Sequence, residues 1–277
     1  MNILDYILYF FFYSFVGWFF ESCYCSLRPK KWINRGFMRG PICPIYGTGA
    51  LVMLITLVPL RSLTDNLYIN EAVIFVAGMI LCDAVEFMTS LIMEKLFNAR
   101  WWDYSDKKFN IQGRICLTHT LYWGTCACLF VFVLHPIIDI YLVGQVSETS
   151  RHILTYILLT VFAFDLFDTV INALGIRKFS LKLKSITDEL HIVSDLVSTA
   201  LGFESDIDDD KTVKEEIENK INELKEKYDF LINDVSSGKA KTKKRLFNAS
   251  PRMRETIINQ AKGFEELLKD IKDKILK

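Results

Sequence analysis

Acidic residues recur at helical spacing inside stretches that are otherwise apolar. Asp83-x-x-Glu86 runs on to Ser90, and Asp165-x-x-Asp168 runs on to Asn172. Glu21 shares a stripe with Ser14, Gly17, Trp18 and Cys25, while His119 shares one with Tyr122, Trp123 and Cys126. Side chains three or four apart lie on one helix face. Each pair could therefore present two carboxylates to one point. Carboxylate oxygens suit Mg²⁺, Ca²⁺ or Mn²⁺, so Asp83, Glu86, Asp165 and Asp168 form a candidate metal set, with a divalent cation as the cofactor. Two other outcomes relieve such buried charge. The acids can protonate, or arginines can fold in, with Arg35, Arg39, Arg100 and Arg114 as candidates.

The elements that carry these residues are long and apolar. Five segments, roughly 5–27, 43–60, 71–94, 115–143 and 152–175, reach the ~18 apolar residues that a bilayer crossing requires. The first lacks a basic leader and a small-residue cleavage site, so it reads as a retained helix rather than a signal peptide. The second opens on Pro41-Ile42-Cys43-Pro44 and carries Gly47, Gly49 and Pro59. It is either a full span or a broken, re-entrant one, tolerated beside protein or water. At ~1.5 Å rise per residue, Glu86 and Asp168 each lie ~14 Å from the nearest flanking base, and Asp83 and Asp165 each ~18 Å. If spans 1, 3 and 5 adjoin, five carboxylates would meet in one cavity.

Loop charge orients the spans. Residues 28–42 carry five basic residues and no acid, residues 95–114 carry five against two acids, and the stretch after the last span opens with Arg177, Lys178, Lys182 and Lys184. The remaining loops hold one base each, Arg61 and Arg151. By the positive-inside rule, the N-terminus is outside and the tail is cytoplasmic.

The chain has 277 residues, 33 basic and 33 acidic. Residues 1–175 hold 12 bases and 13 acids, whereas residues 176–277 hold 21 and 20. That shift excludes a single soluble globular domain, a disordered chain and a disulfide-rich module. The seven cysteines all lie in or beside spans, and their Cys-x-Cys pairs do not match zinc spacing. They read as small packing residues.

Two loops flank the expected cavity. Residues 34–50 supply Asn34, Arg35, Arg39 and Tyr46 among glycines that permit close backbone approach. Residues 99–114 supply Trp102, Asp103, Asn110 and Arg114 beside an aromatic belt. Neither loop is a Walker A motif. The blocks Gly17-Trp18 with Glu21, Asn34-Arg35-Gly36-Phe37, Gly40-Pro41-x-Cys43-Pro44-Ile45-Tyr46-Gly47, and Trp101-Trp102-Asp103-Tyr104-Ser105 with Asn110-x-x-Gly113-Arg114 together resemble one bacterial membrane family, labelled putative ABC-transporter type IV, CmpB-like. The resemblance covers roughly residues 10–175 and leaves out the tail. It implies a permease-like subunit in the bacterial plasma membrane, and any ATP-driven role would need a separate ATPase.

The tail reads as helical. Residues 178–203 form an amphipathic stretch, and Glu204–Asp210 an acidic linker. Ile217, Ile221, Leu224, Tyr228, Leu231 and Val235 step at heptad spacing, as do Ile257, Ala261, Phe264, Leu268, Ile271 and Ile275. Ser236-Ser237-Gly238 breaks the chain between them, and Ser250-Pro251 opens the last helix. The tip carries Lys239, Lys241, Lys243, Lys244 and Arg245, a basic patch for anionic lipid or RNA, or a solvated loop.

The expected fold is all-α: a polytopic bundle of about five transmembrane helices, residues 1–175, then an amphipathic helix and linker, 176–210, then a coiled-coil hairpin, 211–277. The leading function is a permease-like protein whose cytoplasm-open acidic cavity binds a cation or small solute. The alternatives are an intramembrane metal-dependent enzyme acting on a lipid phosphate and a membrane sensor or scaffold signalling through the tail. The expected partners are the bilayer, a separate ATPase or a second copy, and a cytoplasmic protein at the tail. No nucleic-acid partner is expected.

Overall fold

The computed structural model describes residues 2–27, 30, 32–142, 144–202, 211–236, 246 and 250–275. The acidic linker at 204–210 and the basic patch at 239–245 lie outside these residues. The fold is all-α. The helices are α1 (Ile3–Leu27), α2 (Pro44–Thr56), α3 (Leu67–Phe97), α4 (Leu117–Leu129), α5 (His135–Leu142), α6 (Glu148–Gly202), α7 (Lys211–Ser236) and α8 (Pro251–Ile275). Five helical segments are long and apolar enough to cross a membrane: Ile3–Leu27, Pro44–Ser62, Leu67–Phe97, Leu117–Leu142 and Glu148–Thr199. Their outward faces stay bare: Phe164 is 74% exposed, Phe167 69% and Ile80 64%. Soluble monomers rarely expose contiguous apolar surface on that scale. In lipid it carries no penalty.

Two spans are built from pieces. α2 ends at Thr56 and a 3-10 helix continues over Val58–Ser62. Pro59 brings no backbone N–H, which stops the α-helical ladder there. The two pieces rise ~30 Å together, enough for the hydrocarbon core. The fourth span joins α4 to α5 through a π turn over Phe130–Leu134. Pro136 would clash with the carbonyl of residue 132 in a regular α-helix, and a wider turn relieves it.

The chain divides into two compact units, Met1–Ile171 with Asn248–Ser250, and Asn172–Phe247 with Pro251–Lys277. In the first, α1 and α2 pack through small residues. A Cβ on Gly17 would stand 2.2 Å from the Tyr46 ring, and one on Gly47 would stand 2.5 Å from the Phe10 carbonyl oxygen. Gly78 meets the Ala127 methyl in the same way between α3 and α4. Without a hydrophobic drive between helices in lipid, such close backbone approach supplies the packing energy. Tyr9, Tyr13, Leu54, Leu57, Ile74, Ala127 and Phe130 form the buried core.

The loop from α3 to α4 is ordered by its own chemistry. Asn98 ends α3 in the left-handed region (φ 53°). A two-stranded antiparallel ladder pairs Asn110 with Cys116 and Ile111 with Ile115. Its tight turn has positive φ at both Gln112 and Gly113, closed by the Arg114 N–H to the Ile111 carbonyl at 2.9 Å. Asn110 accepts from the Gly113 N–H at 3.0 Å and donates to the Lys107 carbonyl at 2.8 Å.

In the second unit, residues 172–202 of α6 pack with α7 and α8. Leu183, Ile186, Leu190, Val193 and Val197 are buried, as are Ile221, Leu224, Tyr228 and Leu231 on α7 and Ile257, Phe264 and Ile271 on α8. Tyr228 stacks on Phe264 at 4.3 Å and donates to Glu265 at 2.8 Å. Ser180 meets Gln260 at 3.3 Å. The sequence reading ended the fifth span at 175 and began a separate amphipathic helix at 178. The chain instead runs as one helix of 55 residues. Polarity changes near 176 and Gly175 stands at the change, but no proline removes a backbone donor there, and the helix continues through it.

Candidate functional site

A cavity of about 540 Å³ sits inside the first unit. Its walls come from the C-terminal end of α1 (Glu21, Tyr24, Cys25), the start of α2 (Tyr46, Gly49, Ala50, Met53), the middle of α3 (Cys82, Val85, Glu86) and the start of α4 (His119, Tyr122, Trp123, Cys126). Loop residues Arg35, Trp102 and Tyr104 complete it. It therefore lies toward the end of the bundle that carries the two long basic loops. The volume falls within the ~300–1,000 Å³ typical of small-molecule pockets.

Two carboxylates line the cavity. Glu21 accepts from Arg35 Nε at 3.0 Å and from the Cys43 thiol at 3.7 Å. Glu86 is 5% exposed and is held by neutral donors, Tyr104 OH at 2.9 Å on one oxygen and Trp123 Nε1 at 2.8 Å on the other. Burial, and then the Glu86 carboxylate itself, pushes the Tyr104 phenol above its ordinary range. Tyr104 thus stays a protonated donor. Tyr104 also stacks on His119 at 4.3 Å. His119 Nδ1 lies 3.0 Å from the Cys116 thiol.

The remaining predicted acids lie apart from these walls. Asp83 accepts from Thr120 Oγ1 at 2.6 Å, and its other oxygen is buried with no hydrogen-bond partner among the described residues. Asp165 accepts from the backbone N–H groups of Gly40 at 2.7 Å and Arg39 at 3.0 Å, and from Thr169 at 3.2 Å. It clasps the 36–41 loop rather than facing the cavity. Asp168 pairs with Arg39 at 3.9 Å, where the arginine is largely exposed and Asp168 half-buried. Asn172 belongs to the second unit. The expected meeting of five carboxylates thus resolves into two at the cavity, one beside it and two at the loop. Asp83, Glu86, Asp165 and Asp168 do not come together. Among the described residues, no three His, Cys, Asp or Glu side chains group as metal ligands. The physical reason is that each acid already has donors from a different element. Helical spacing aligned each pair but could not reveal those donors.

The loop residues divide similarly. Arg35 and Tyr46 line the cavity, as does Trp102, whose Nε1 donates to the Arg114 carbonyl at 3.0 Å. Asn34 accepts from Trp18 Nε1 at 2.6 Å and donates to the Arg39 carbonyl at 3.0 Å, which shapes the α1–α2 loop. Asp103 and Asn110 fold the α3–α4 loop onto itself, with Asp103 accepting from the Ser105 N–H at 2.9 Å. Arg114 is buried against Ser90 Oγ at 3.0 Å, against Glu94, and over the Phe87 ring at 5.6 Å. Arg100 adds a second contact to Glu94 at 3.1 Å.

Sequence reasoning missed a second polar network at the opposite end of the bundle. Tyr9 OH donates to Asp139, Tyr13 OH lies 3.1 Å from His135 Nδ1, and Asp5 pairs with Arg151 at 3.0 Å. The signal was present as matching four-residue steps, Tyr9 to Tyr13 and His135 to Asp139.

A family model described as putative ABC-transporter type IV matches residues 8–170, more than half of the chain. The chain belongs to that family. This ABC-transporter-type membership and the five apolar helices make it a membrane transport-related protein. All the cavity walls fall within the matched segment, and the second unit falls wholly outside it. No curated protein and no solved structure matches the chain.

Proposed function

We propose that this chain is a permease-like subunit that admits a small solute to the cavity between α1, α2, α3 and α4. The observation that carries this reading is the cavity itself. A space of about 540 Å³ with a buried carboxylate on its wall is costly for a bundle that only needs to pack. The basic loops at its mouth favour a cytoplasmic opening, with the N-terminus outside and the tail inside the cell. A separate ATPase would supply energy for transport, because the sequence has no Walker A loop. The heptad faces of α7 and α8 pack within the second unit, which would form a cytoplasmic module.

The test uses the full chain in nanodiscs and a panel of cationic, anionic and neutral small solutes, read by thermal unfolding. A solute that binds only the folded state raises the melting temperature. Gly49 supplies the control. It lines the cavity, and an added Cβ there meets nothing within 4 Å. Gly49→Phe therefore fills the space without a backbone clash. At least one class of solute should stabilise the parent and leave Gly49→Phe unmoved. Equal response of the two proteins to every solute would overturn the reading.

A further inference from the structure

We infer that the solute is an organic cation whose ammonium group sits against Glu86 among aromatic rings. The inference rests on the cavity reading above and adds the substrate class. Glu86 is 5% exposed and carries two hydrogen bonds, both from neutral donors. An indole N–H can only donate, so its bond to Glu86 favours the charged carboxylate. Among the described residues, no basic side chain pairs with Glu86. A buried carboxylate without a counter-charge costs several kcal/mol. A cation arriving in the cavity removes that cost.

The neighbouring acid reinforces the sign. Asp83, one turn earlier on α3, accepts a hydrogen bond only from Thr120 among the described residues. The one arginine on the wall, Arg35, is engaged with Glu21. The wall thus holds two carboxylates and one guanidinium, and the unbalanced charge is that of Glu86.

The rings decide between an organic cation and a metal ion. Tyr104 and Trp123 are tied by their polar edges to Glu86, which fixes both rings. Tyr46 stands 6.4 Å from Trp123, ring centre to ring centre. Aromatic faces attract ammonium groups, and most strongly where water is excluded. Mg²⁺ or Ca²⁺ needs six or more oxygen ligands or retained water. Glu86 offers two oxygens, each already accepting a bond, and the other wall carboxylate, Glu21, is held by Arg35; most of the remaining lining is aromatic, aliphatic or thiol-bearing. A quaternary or alkyl ammonium sheds its weak hydration at smaller cost and uses the rings directly.

The experiment titrates the full chain in nanodiscs with choline and with 3,3-dimethyl-1-butanol, which has the same shape with carbon in place of the charged nitrogen. Tryptophan fluorescence reports binding, because Trp102 and Trp123 line the cavity. Choline should bind at least about tenfold more tightly than the alcohol. Glu86→Gln, which keeps an acceptor and removes the charge, should erase that preference, with unchanged melting temperature or circular dichroism showing that it folds. Trp123→Phe, which keeps a ring face, should retain a preference for choline. Equal binding of choline and the alcohol, a choline preference that survives Glu86→Gln, or displacement of choline by Mg²⁺ at equal concentration would each overturn the inference. If neutral or anionic solutes bind, are blocked by Gly49→Phe and choline is not recognised, only the inference fails. If no solute separates the parent from Gly49→Phe, the cavity reading fails with it.

Discussion

Two glycines on α2, two residues apart, should respond to alanine in opposite directions. Gly47 is pressed against α1: an added Cβ would stand 2.1 Å from Ser14 Oγ, 2.5 Å from the Phe10 carbonyl oxygen and 2.8 Å from Phe10 Cδ2. The serine can rotate away, but the carbonyl belongs to the α1 backbone. Ordinary contact begins at 3.4 Å, so α1 and α2 must part by about 0.9 Å. Overpacking of this kind costs about 1–3 kcal/mol. For a chain of this size each kcal/mol lowers the melting temperature by roughly 2–4 °C. Gly47→Ala should therefore melt ~4–8 °C below the parent at the middle of that range. Gly49 faces open space, so Gly49→Ala adds only helix propensity, up to ~1 kcal/mol. It should melt level with the parent or a few degrees higher. Both variants are read by thermal unfolding of the full chain in one detergent. Equal shifts of the same sign would refute the α1–α2 packing described above.

Three other perturbations have definite outcomes. Asp165→Ala removes the acceptor for the Arg39 and Gly40 amides, at a cost of about 1–3 kcal/mol. Limited proteolysis within residues 35–41 should accelerate, while Asp168→Ala, which loses only a 3.9 Å ion pair to the exposed Arg39 from that loop, should change the cleavage rate less. Arg114→Gln loses the contacts to Ser90 and Glu94 from a buried position, and should lower stability on the order of 2 kcal/mol in chemical denaturation. In the second unit, hydrogen bonds from Lys227 and then Lys220 hold the Glu223 carboxyl down to about 2. A depressed carboxylate contributes stability above its ordinary value of 4.5 and loses it as pH falls from there toward 2. Amide protection in α7, corrected for the intrinsic pH dependence of exchange, should fall across that window in the parent and change less in Glu223→Gln.

The parts of the fold that follow from local composition were legible in the sequence. Five spans were readable because apolar length is a direct requirement of the bilayer. The continuity of α6 was not, because a change in polarity at 176 says nothing about the backbone, and only a proline or a cap would have ended the ladder. The two-residue strands at 110–111 and 115–116 depend on a turn at Gln112-Gly113 that sequence reading passed over. At the cavity, Glu21, Glu86, His119, Arg35, Tyr46 and Trp102 were all named from the sequence. Asp83, Asp165 and Asp168 were grouped with them because depth and helical phase were the only measures in hand. What separates them is the identity of the donor across the helix interface: Thr120 for Asp83, two loop amides for Asp165, Arg39 for Asp168. Backbone amides in particular leave no side-chain signature. Tyr104 read as part of an aromatic belt and Trp123 as a neighbour of His119 on one stripe, and only the structure showed both donating to Glu86.

The central claim is that a solute reaches Glu86 from the side of the basic loops. Val85 lines the cavity beside it. A full chain with its seven cysteines replaced by serine and Val85→Cys introduced would be labelled with a membrane-impermeant thiol reagent from each face of sealed vesicles. The account predicts labelling from the cytoplasmic face and loss of that labelling when Gly49→Phe is added. Labelling only from the outer face, or at the same rate with the cavity filled, would contradict it.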